Sequence, residues 1–332
     1  MGNLIALRLL AAGERVRVLD IWRDHYQPDD IEFVEADVRD AAAVAKSLKG
    51  VAVVHHNAAR VPLTKSGDGF WKVNVDGSRI VAEEAVKAGV SYFIHMSSSA
   101  LFGKAECPIT SNTPYSPVEI YGRAKMWGEL AVKEVCEPAG LPLVIIRPRT
   151  LVGLKRLGIF QILFDWISGN HNVYTIGDGN QLYQFLHPLD MMDAYMLALH
   201  KEKPGIYNVG ASNFGTLREA LENVIRHAGS SSKVVSLPAG FSIGCLQMLD
   251  KIGLSPLAPW HYLTYHKPFH FDVTPLLELG WEPEYSNDLM FKESYDWFIA
   301  NPDEIRQVTD IHGSPHRSAL KQGILKALKW LS

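Results

Sequence analysis

Tyr92-Phe93-Ile94-His95-Met96, followed at once by Ser97-Ser98-Ser99-Ala100-Leu101-Phe102-Gly103, decides the fold. The first five residues form a short, mostly apolar run of the kind that makes an interior strand of a parallel sheet. A serine cluster directly after such a strand sits where open α/β sheets bind their ligands. Twenty-two residues beyond Ser99 begins Tyr121-Gly122-Arg123-Ala124-Lys125. A tyrosine and a lysine four apart share one face of a helix, so one ammonium can act on one phenol. A nearby cation favours phenolate, and the expectation is a Tyr121 pKa lowered toward neutrality, suited to exchanging a proton with a secondary alcohol or its ketone. Among the 12 tyrosines, only Tyr121 has a lysine at that spacing.

Working outward, strand and helix signals alternate on both sides. Leu4 to Ala12 reads as a helix stopped by Gly13, Val16 to Asp20 as a strand, Ile31 to Ala36 as another, and Ala41 to Leu48 as a helix. Val51 to His55 then reads as a strand, Phe70 to Ala88 as a long helix, and Leu143 to Pro148 as a strand. This rhythm predicts an α/β fold, a Rossmann-like doubly wound parallel sheet over residues 1–150. Beyond residue 150 glycine and proline become more frequent and the alternation breaks up. Residues 151–312 therefore read as a smaller C-terminal substrate-binding lobe, with Tyr207-Asn208-Val209-Gly210 returning to the sheet.

The composition narrows the function. The chain has 332 residues, 47% of them hydrophobic, and a net charge of −3, with no basic block beside an aromatic platform. Nucleic acid is not an expected partner, and small-molecule chemistry is favoured. Three cysteines, Cys107, Cys136 and Cys245, form no Cys-x-x-Cys motif, which suits a reducing, cytoplasmic setting. The close histidine pairs His55-His56 and His266-x-x-x-His270 are expected from 13 histidines, and no metal site is predicted from them. No apolar run reaches the roughly 18 residues that a membrane-spanning helix needs.

From the serine run and the Tyr121/Lys125 pair, the chain resembles the extended short-chain dehydrogenase/reductase family, the NAD-dependent epimerase/dehydratase group, over about residues 2 to 300. The resemblance implies a catalytic set of Ser99, Tyr121 and Lys125: Tyr121 exchanges the hydroxyl proton, Ser99 hydrogen-bonds the substrate oxygen, and Lys125 lowers the tyrosine pKa while holding the nicotinamide ribose. It also implies NAD as cofactor. Asp20 ends the second strand 18 residues after Gly2, the spacing of a carboxylate that binds both adenosine ribose hydroxyls. That carboxylate repels a 2′-phosphate, so NADP is less favoured, although Arg23 lies nearby. By resemblance, Asp37 lies beside the adenine, the His56-Asn57-Ala58-Ala59 run lets the cofactor ride close to the backbone, Asn74 is the family's helix asparagine, and Pro148 borders the cofactor. A homodimer through the Phe70–Ala88 and Tyr121-bearing helices is implied as well.

The opening of the chain departs from that pattern. Family members begin with a strand and a Gly-x-x-Gly-x-x-Gly turn, whereas this chain begins Met1-Gly2-Asn3-Leu4, and Gly2 matches only the last fingerprint glycine. A misplaced start codon, a truncated chain and a degenerate relative with a non-catalytic binding role are all compatible with this. The chain as given is expected to bind NAD poorly, since fingerprint glycines bring backbone N–H groups to the pyrophosphate.

The substrate lobe departs too. The resembling nucleotide-sugar epimerases have Arg-x-x-Asn after the sixth strand and an arginine before an Ile-His-Val run. Here Arg147-Pro148-Arg149-Thr150 replaces the asparagine with Thr150, and Tyr183 stands at the arginine's position. Arg149, Thr150 and Tyr183, with Ser99, are the candidate substrate residues, and Arg149 or Arg156 could compensate for the missing guanidinium toward a diphosphate. Ala100-Leu101 replace the Asp-Glu pair of 4,6-dehydratases, which disfavours dehydration. Net oxidation or reduction of a secondary alcohol or ketone is the first expectation and nucleotide-sugar epimerisation the alternative. The aromatic stretches Phe241 to Leu249 and Pro259 to Asp272 read equally as an apolar lid or as ordinary core. Finally, Leu320, Ile324, Leu328 and Leu331 in residues 313–332 mark a basic amphipathic helix, expected to dock on the protein or, more weakly, on an anionic membrane surface.

Overall fold

The computed structural model describes residues 1–61, 67–201, 203–255 and 257–307. The basic amphipathic segment at 313–332 lies outside the described residues.

Alternation with period two explains the central sheet. Along β4 (Tyr92–Met96) and β5 (Leu143–Pro148), Ile94, Val144 and Ile146 enter one core while Phe93, Leu143 and Ile145 enter another. A strand buried on both faces has no polar side to spare, which is why both runs are so apolar. β3 (Val53–His56), β4, β5 and β7 (Gly205–Val209) pair side by side, all parallel. The predicted return of the chain near Tyr207 is thus the fourth strand, with Ile146 facing Tyr207 and Arg147 facing Asn208.

Helices cover both faces, as a doubly wound sheet requires. One core takes Ile5 and Leu9 from α1 (Gly2–Ala11), together with Met191, Met192, Tyr195 and Ala198 of a lobe helix, Pro188–His200. The other takes Val44 from α2 (Ala41–Ser47), Val81, Ala82 and Ala85 from α3 (residues 69–88), and Val132 and Cys136 from α4 (Ile120–Cys136). α3 runs over residues 69–88 as the single long helix expected, but it contains a π-helical stretch, Lys72–Gly77. β1 (Arg17–Asp20) and β2 (Glu32–Glu35) form a separate parallel pair rather than joining β3. In the lobe, β6 (Val173–Ile176) pairs in parallel with β8 (Val234–Leu237).

The aromatic lobe resolves into core and surface. Trp260, Tyr265, Phe269 and Phe271 are buried in the first core, whereas Phe241 and Met248 on the helix Ala239–Lys251 are exposed.

Two glycines let α4 sit close to its neighbours. A Cβ at Gly122 would lie 2.5 Å from the carbonyl oxygen of Ala100, and one at Gly128 would overlap the carbonyl oxygen of Asn74. The first contact sets the N-terminus of α4 against the turn after β4, and the second locks α4 to the π-helical stretch of α3.

Candidate active site

The serine run is divided by the end of the strand. Ser97 still follows the strand alternation and turns its hydroxyl to Glu129 on α4. Ser98 is the last extended residue, and its side chain accepts the Ala100 N–H to start a short 3-10 turn, Ser99–Phe102. Ser99 is folded into that turn and is 4% exposed.

Tyr121 is delivered by the first turn of α4. Glu119 caps this helix, its carboxylate accepting the Tyr121 and Gly122 N–H groups, each at 2.6 Å. The hydroxyl that meets the Tyr121 phenol as a hydrogen-bonding neighbour is that of Ser98. Ser98 is thus the serine beside the Tyr121 phenol, while Ser99, one residue further along, is buried at the start of the 3-10 turn.

Lys125 lies one helical turn further on and is 5% exposed. Its Nζ donates to the Met96 carbonyl oxygen at 2.6 Å, at the end of β4. The lowered tyrosine pKa expected from this lysine is not found. Burial pushes the Tyr121 phenol up to about 12, and the groups acting to lower it are Ser98 and the Arg156 guanidinium. With Lys125 bound to a backbone carbonyl, the phenol keeps its proton. Burial in turn brings Lys125 down to about 8, with Glu129 acting against that fall.

The residues expected to hold the cofactor separate into two groups. Asp20 at the end of β1 is exposed, with Oδ1 accepting its neighbour Ile21 N–H at 2.7 Å. Ala58 and Ala59, just after β3, are half-buried, as is Pro148 at the end of β5. These are free to meet a ligand. Asp37 is instead held by Arg39, which donates to its two oxygens at 2.9 and 2.7 Å. Asn74 is 2% exposed and spends its amide on the Arg60 backbone, accepting from the N–H at 2.8 Å and donating to the carbonyl at 3.0 Å. His56 is 4% exposed, its Nε2 2.9 Å from the Ser78 hydroxyl. Asn74 and His56 thus shape the loop carrying the two alanines from beneath. Gly2 opens α1 in open space, with nothing near a Cβ placed on it.

Two expected substrate residues are sealed inside. Tyr183 has no exposed surface, and the Arg149 guanidinium lies over the rings of Phe269 at 4.0 Å and Tyr183 at 5.0 Å while Nε donates to the Gln184 carbonyl at 3.0 Å. Aromatic faces and a carbonyl take the place of a carboxylate partner for this cation. Both Arg149 Nη atoms and the Tyr183 hydroxyl lack a hydrogen-bond partner, and Thr150 is half-buried at the end of β5. Arg156 is likewise half-buried and close enough to act on Tyr121.

Beneath these residues lies an ion pair the motif reading passed over. Glu129 and Arg147 are both essentially unexposed, and Arg147 Nε donates to Glu129 Oε2 at 3.1 Å while Nη2 reaches Oε1. A signal was present in the sequence, because Tyr121, Lys125 and Glu129 follow one another at intervals of four and share a helix face.

Comparison with known proteins fits this geometry. Residues 1–210 match the NAD dependent epimerase/dehydratase family. The chain belongs to this family. Among curated proteins, the chain is 39% identical over 331 residues to the Uncharacterized protein y4nG of Sinorhizobium fredii, covering 99% of this chain and 83% of that one. It is 28% identical to UDP-arabinose 4-epimerase 1 of Arabidopsis thaliana, over 72% of this chain and 67% of the relative. Among solved structures, UDP-glucose 4-epimerase of Thermotoga maritima superposes with a TM-score of 0.74 at 21% identity, covering 91% of this chain and 96% of the other. UDP-glucuronic acid 4-epimerase of Bacillus cereus, solved with NAD, superposes at 0.72 and 18% identity over 90% and 95%. The fold is accordingly the Rossmann-type α/β fold of the epimerase/dehydratase enzymes.

Proposed function

We propose that this enzyme performs NAD-dependent hydride transfer at a secondary alcohol carbon of a nucleotide sugar, with epimerisation at that carbon as the net result. The observation that carries the reading is the meeting of Ser98 with Tyr121, with Lys125 one turn away, at the C-terminal ends of β4 and β5. The membership of the NAD dependent epimerase/dehydratase family and the relatives named UDP-sugar 4-epimerases support it.

The exposed carboxylate of Asp20 suits ribose hydroxyls, and the small side chains of Ala58 and Ala59 suit close approach of a dinucleotide. Asp37 fits less well, its carboxylate being engaged by Arg39. When bound, NAD supplies the hydride acceptor and donor. Ser98 orients the reacting oxygen with its hydroxyl, and Tyr121 moves the proton at its Oη. As the phenol is protonated in this structure, it is ready to donate to a keto oxygen as the carbon below is reduced. In the opposite direction Tyr121 accepts the hydroxyl proton as the carbon–hydrogen bond breaks, so protons and electrons balance over the pair of half-reactions. Lys125 supplies a positive charge beneath this exchange. By the same reading the protein is a homodimer through α3 and α4, whose Trp71 and Trp127 are 40% and 44% exposed with ring centroids 6.4 Å apart.

A second reading, net oxidation or reduction of a less polar alcohol, is favoured by the aromatic surroundings of Arg149, whose guanidinium lies over the rings of Phe269 and Tyr183. One experiment separates the two. Epimerisation converts UDP-sugar with no lasting change at 340 nm, whereas net oxidation raises absorbance in proportion to substrate consumed. Conversion that persists in Tyr121→Phe would defeat both.

A further inference from the structure

Glu129 touches neither the reacting position nor the surface, yet three side chains from three elements converge on it with four hydrogen bonds. Its carboxylate accepts the Ser97 hydroxyl from the end of β4, the Tyr115 hydroxyl at 2.8 Å from the following loop, and two donors from Arg147 on β5. Arg147 continues the network, with Nη2 donating to the Tyr115 oxygen at 3.1 Å and Nη1 to the Ser111 carbonyl at 3.2 Å. Every donor faces an acceptor, the condition under which a buried charge pair fixes geometry instead of straining it. The residues tied together are the immediate neighbours of the site. Ser97 precedes Ser98, Arg147 precedes Pro148, and Glu129 is one turn beyond Lys125.

We propose that Glu129 is a positioning residue: its carboxylate, clamped by Arg147, holds α4 in register with the ends of β4 and β5, so that Tyr121 is presented beside Ser98, and places a negative charge one helical turn from the Lys125 ammonium. This rests on the reading of Tyr121 and Lys125 as the reacting machinery. The other groups facing Lys125 cannot supply the charge. His56 from β3 and His95 from β4 are buried and held neutral, His56 at about 3 and His95 well below its ordinary value. Tyr121 on the same helix and Tyr115 in the loop are both raised to about 12 and remain neutral. Arg147 is a cation. Glu129, whose carboxyl is held below its ordinary value by Arg147, Ser97 and Tyr115 against the opposing effect of burial, is the one anion acting on Lys125 among the described residues.

The test reads Lys125 directly, by NMR titration of protein carrying 13C at the lysine ε carbon, with the signal assigned from Lys125→Arg. Glu129→Gln preserves shape and removes the anion, leaving Arg147 unbalanced. Glu129→Leu/Arg147→Met removes both charges and guards against a single variant that does not fold. The expected order of Lys125 pKa is wild type, then the double variant, then Glu129→Gln, with the last at least about one pH unit below wild type. The alkaline limb of the rate profile should move by the same amount. An unmoved Lys125 titration in the folded variants overturns the proposal, because a purely structural role would cost stability without moving that pKa. A shifted Lys125 titration with an unshifted rate profile supports the control of Lys125 by Glu129 and overturns the role of Lys125 in the reaction.

Discussion

Replacing Gly128 with alanine introduces a single methyl group at the closest approach of α4 and α3. On an exposed helix this substitution stabilises by about 0.5–1 kcal/mol, because glycine loses more conformational freedom on folding. Here the added carbon would overlap the Asn74 carbonyl oxygen, and the next neighbours, the Asn74 carbonyl carbon and the Ser78 hydroxyl, lie at 3.1 and 3.6 Å. The obstacle is backbone, so helix and helix must separate. Overpacking of this kind costs about 1–3 kcal/mol. If the shift also loosens the Asn74 amide from Arg60, two backbone hydrogen bonds weaken at about 1 kcal/mol each. We expect a net destabilisation of roughly 2–4 kcal/mol, read as a lower urea midpoint by circular dichroism. Gly244 is the internal control: it lies on the exposed helix Ala239–Lys251 with nothing within 4 Å of its Cβ position. Gly244→Ala should raise the midpoint. A Gly128→Ala protein as stable as wild type, or a Gly244→Ala protein less stable than Gly128→Ala, would refute the packing argument.

Three further outcomes are expected. Ser98→Ala should lower turnover by about 10²-fold with little change in stability, whereas Ser99→Ala should act on stability first; steady-state rates and urea midpoints of the pair distinguish the two serines. His56 and His95 are depressed by burial, so their full contribution to stability is present above pH 6.5 and is lost as pH falls toward 3. Each histidine adds a slope of about 1.4 kcal/mol per pH unit in that window. His95→Phe also removes two buried ring nitrogens that lack a partner, and it should flatten the fall of the urea midpoint between pH 6.5 and 5. Trp71→Glu/Trp127→Glu should turn a dimer into a monomer by light scattering, and an unchanged mass would exclude α3 and α4 as the interface.

The legible parts of this protein were those governed by local pattern. The Tyr92–Met96 and Leu143–Pro148 runs gave strands with those limits, because a strand buried on both faces leaves an uninterrupted apolar signature. The α3 helix was visible, but its π-helical stretch was not, since that distortion answers to the packing of Gly128 and Asn74 across two helices. Tyr121 and Lys125 stood out from their spacing together with the serine run 22 residues upstream. The different settings of Ser98 and Ser99 were not legible, because the two differ only in which side of a strand-to-turn boundary they occupy, and boundaries are poorly encoded locally. The burial of Arg149 and Tyr183 was not legible, because the aromatic rings around them come from distant segments. The elevated Tyr121 pKa was out of reach for the same reason, being set by burial that only tertiary structure creates.

The central claim is that Tyr121 moves a proton while hydride leaves and returns to one carbon. The most direct test supplies NAD and a UDP-sugar deuterated at carbon 4, and follows both the product and the cofactor by mass spectrometry. Product inverted at carbon 4 with the deuterium retained there, formed by wild type and not by Tyr121→Phe, is the expected result. Deuterium accumulating in reduced cofactor without inversion, or inversion at an equal rate in Tyr121→Phe, would contradict it.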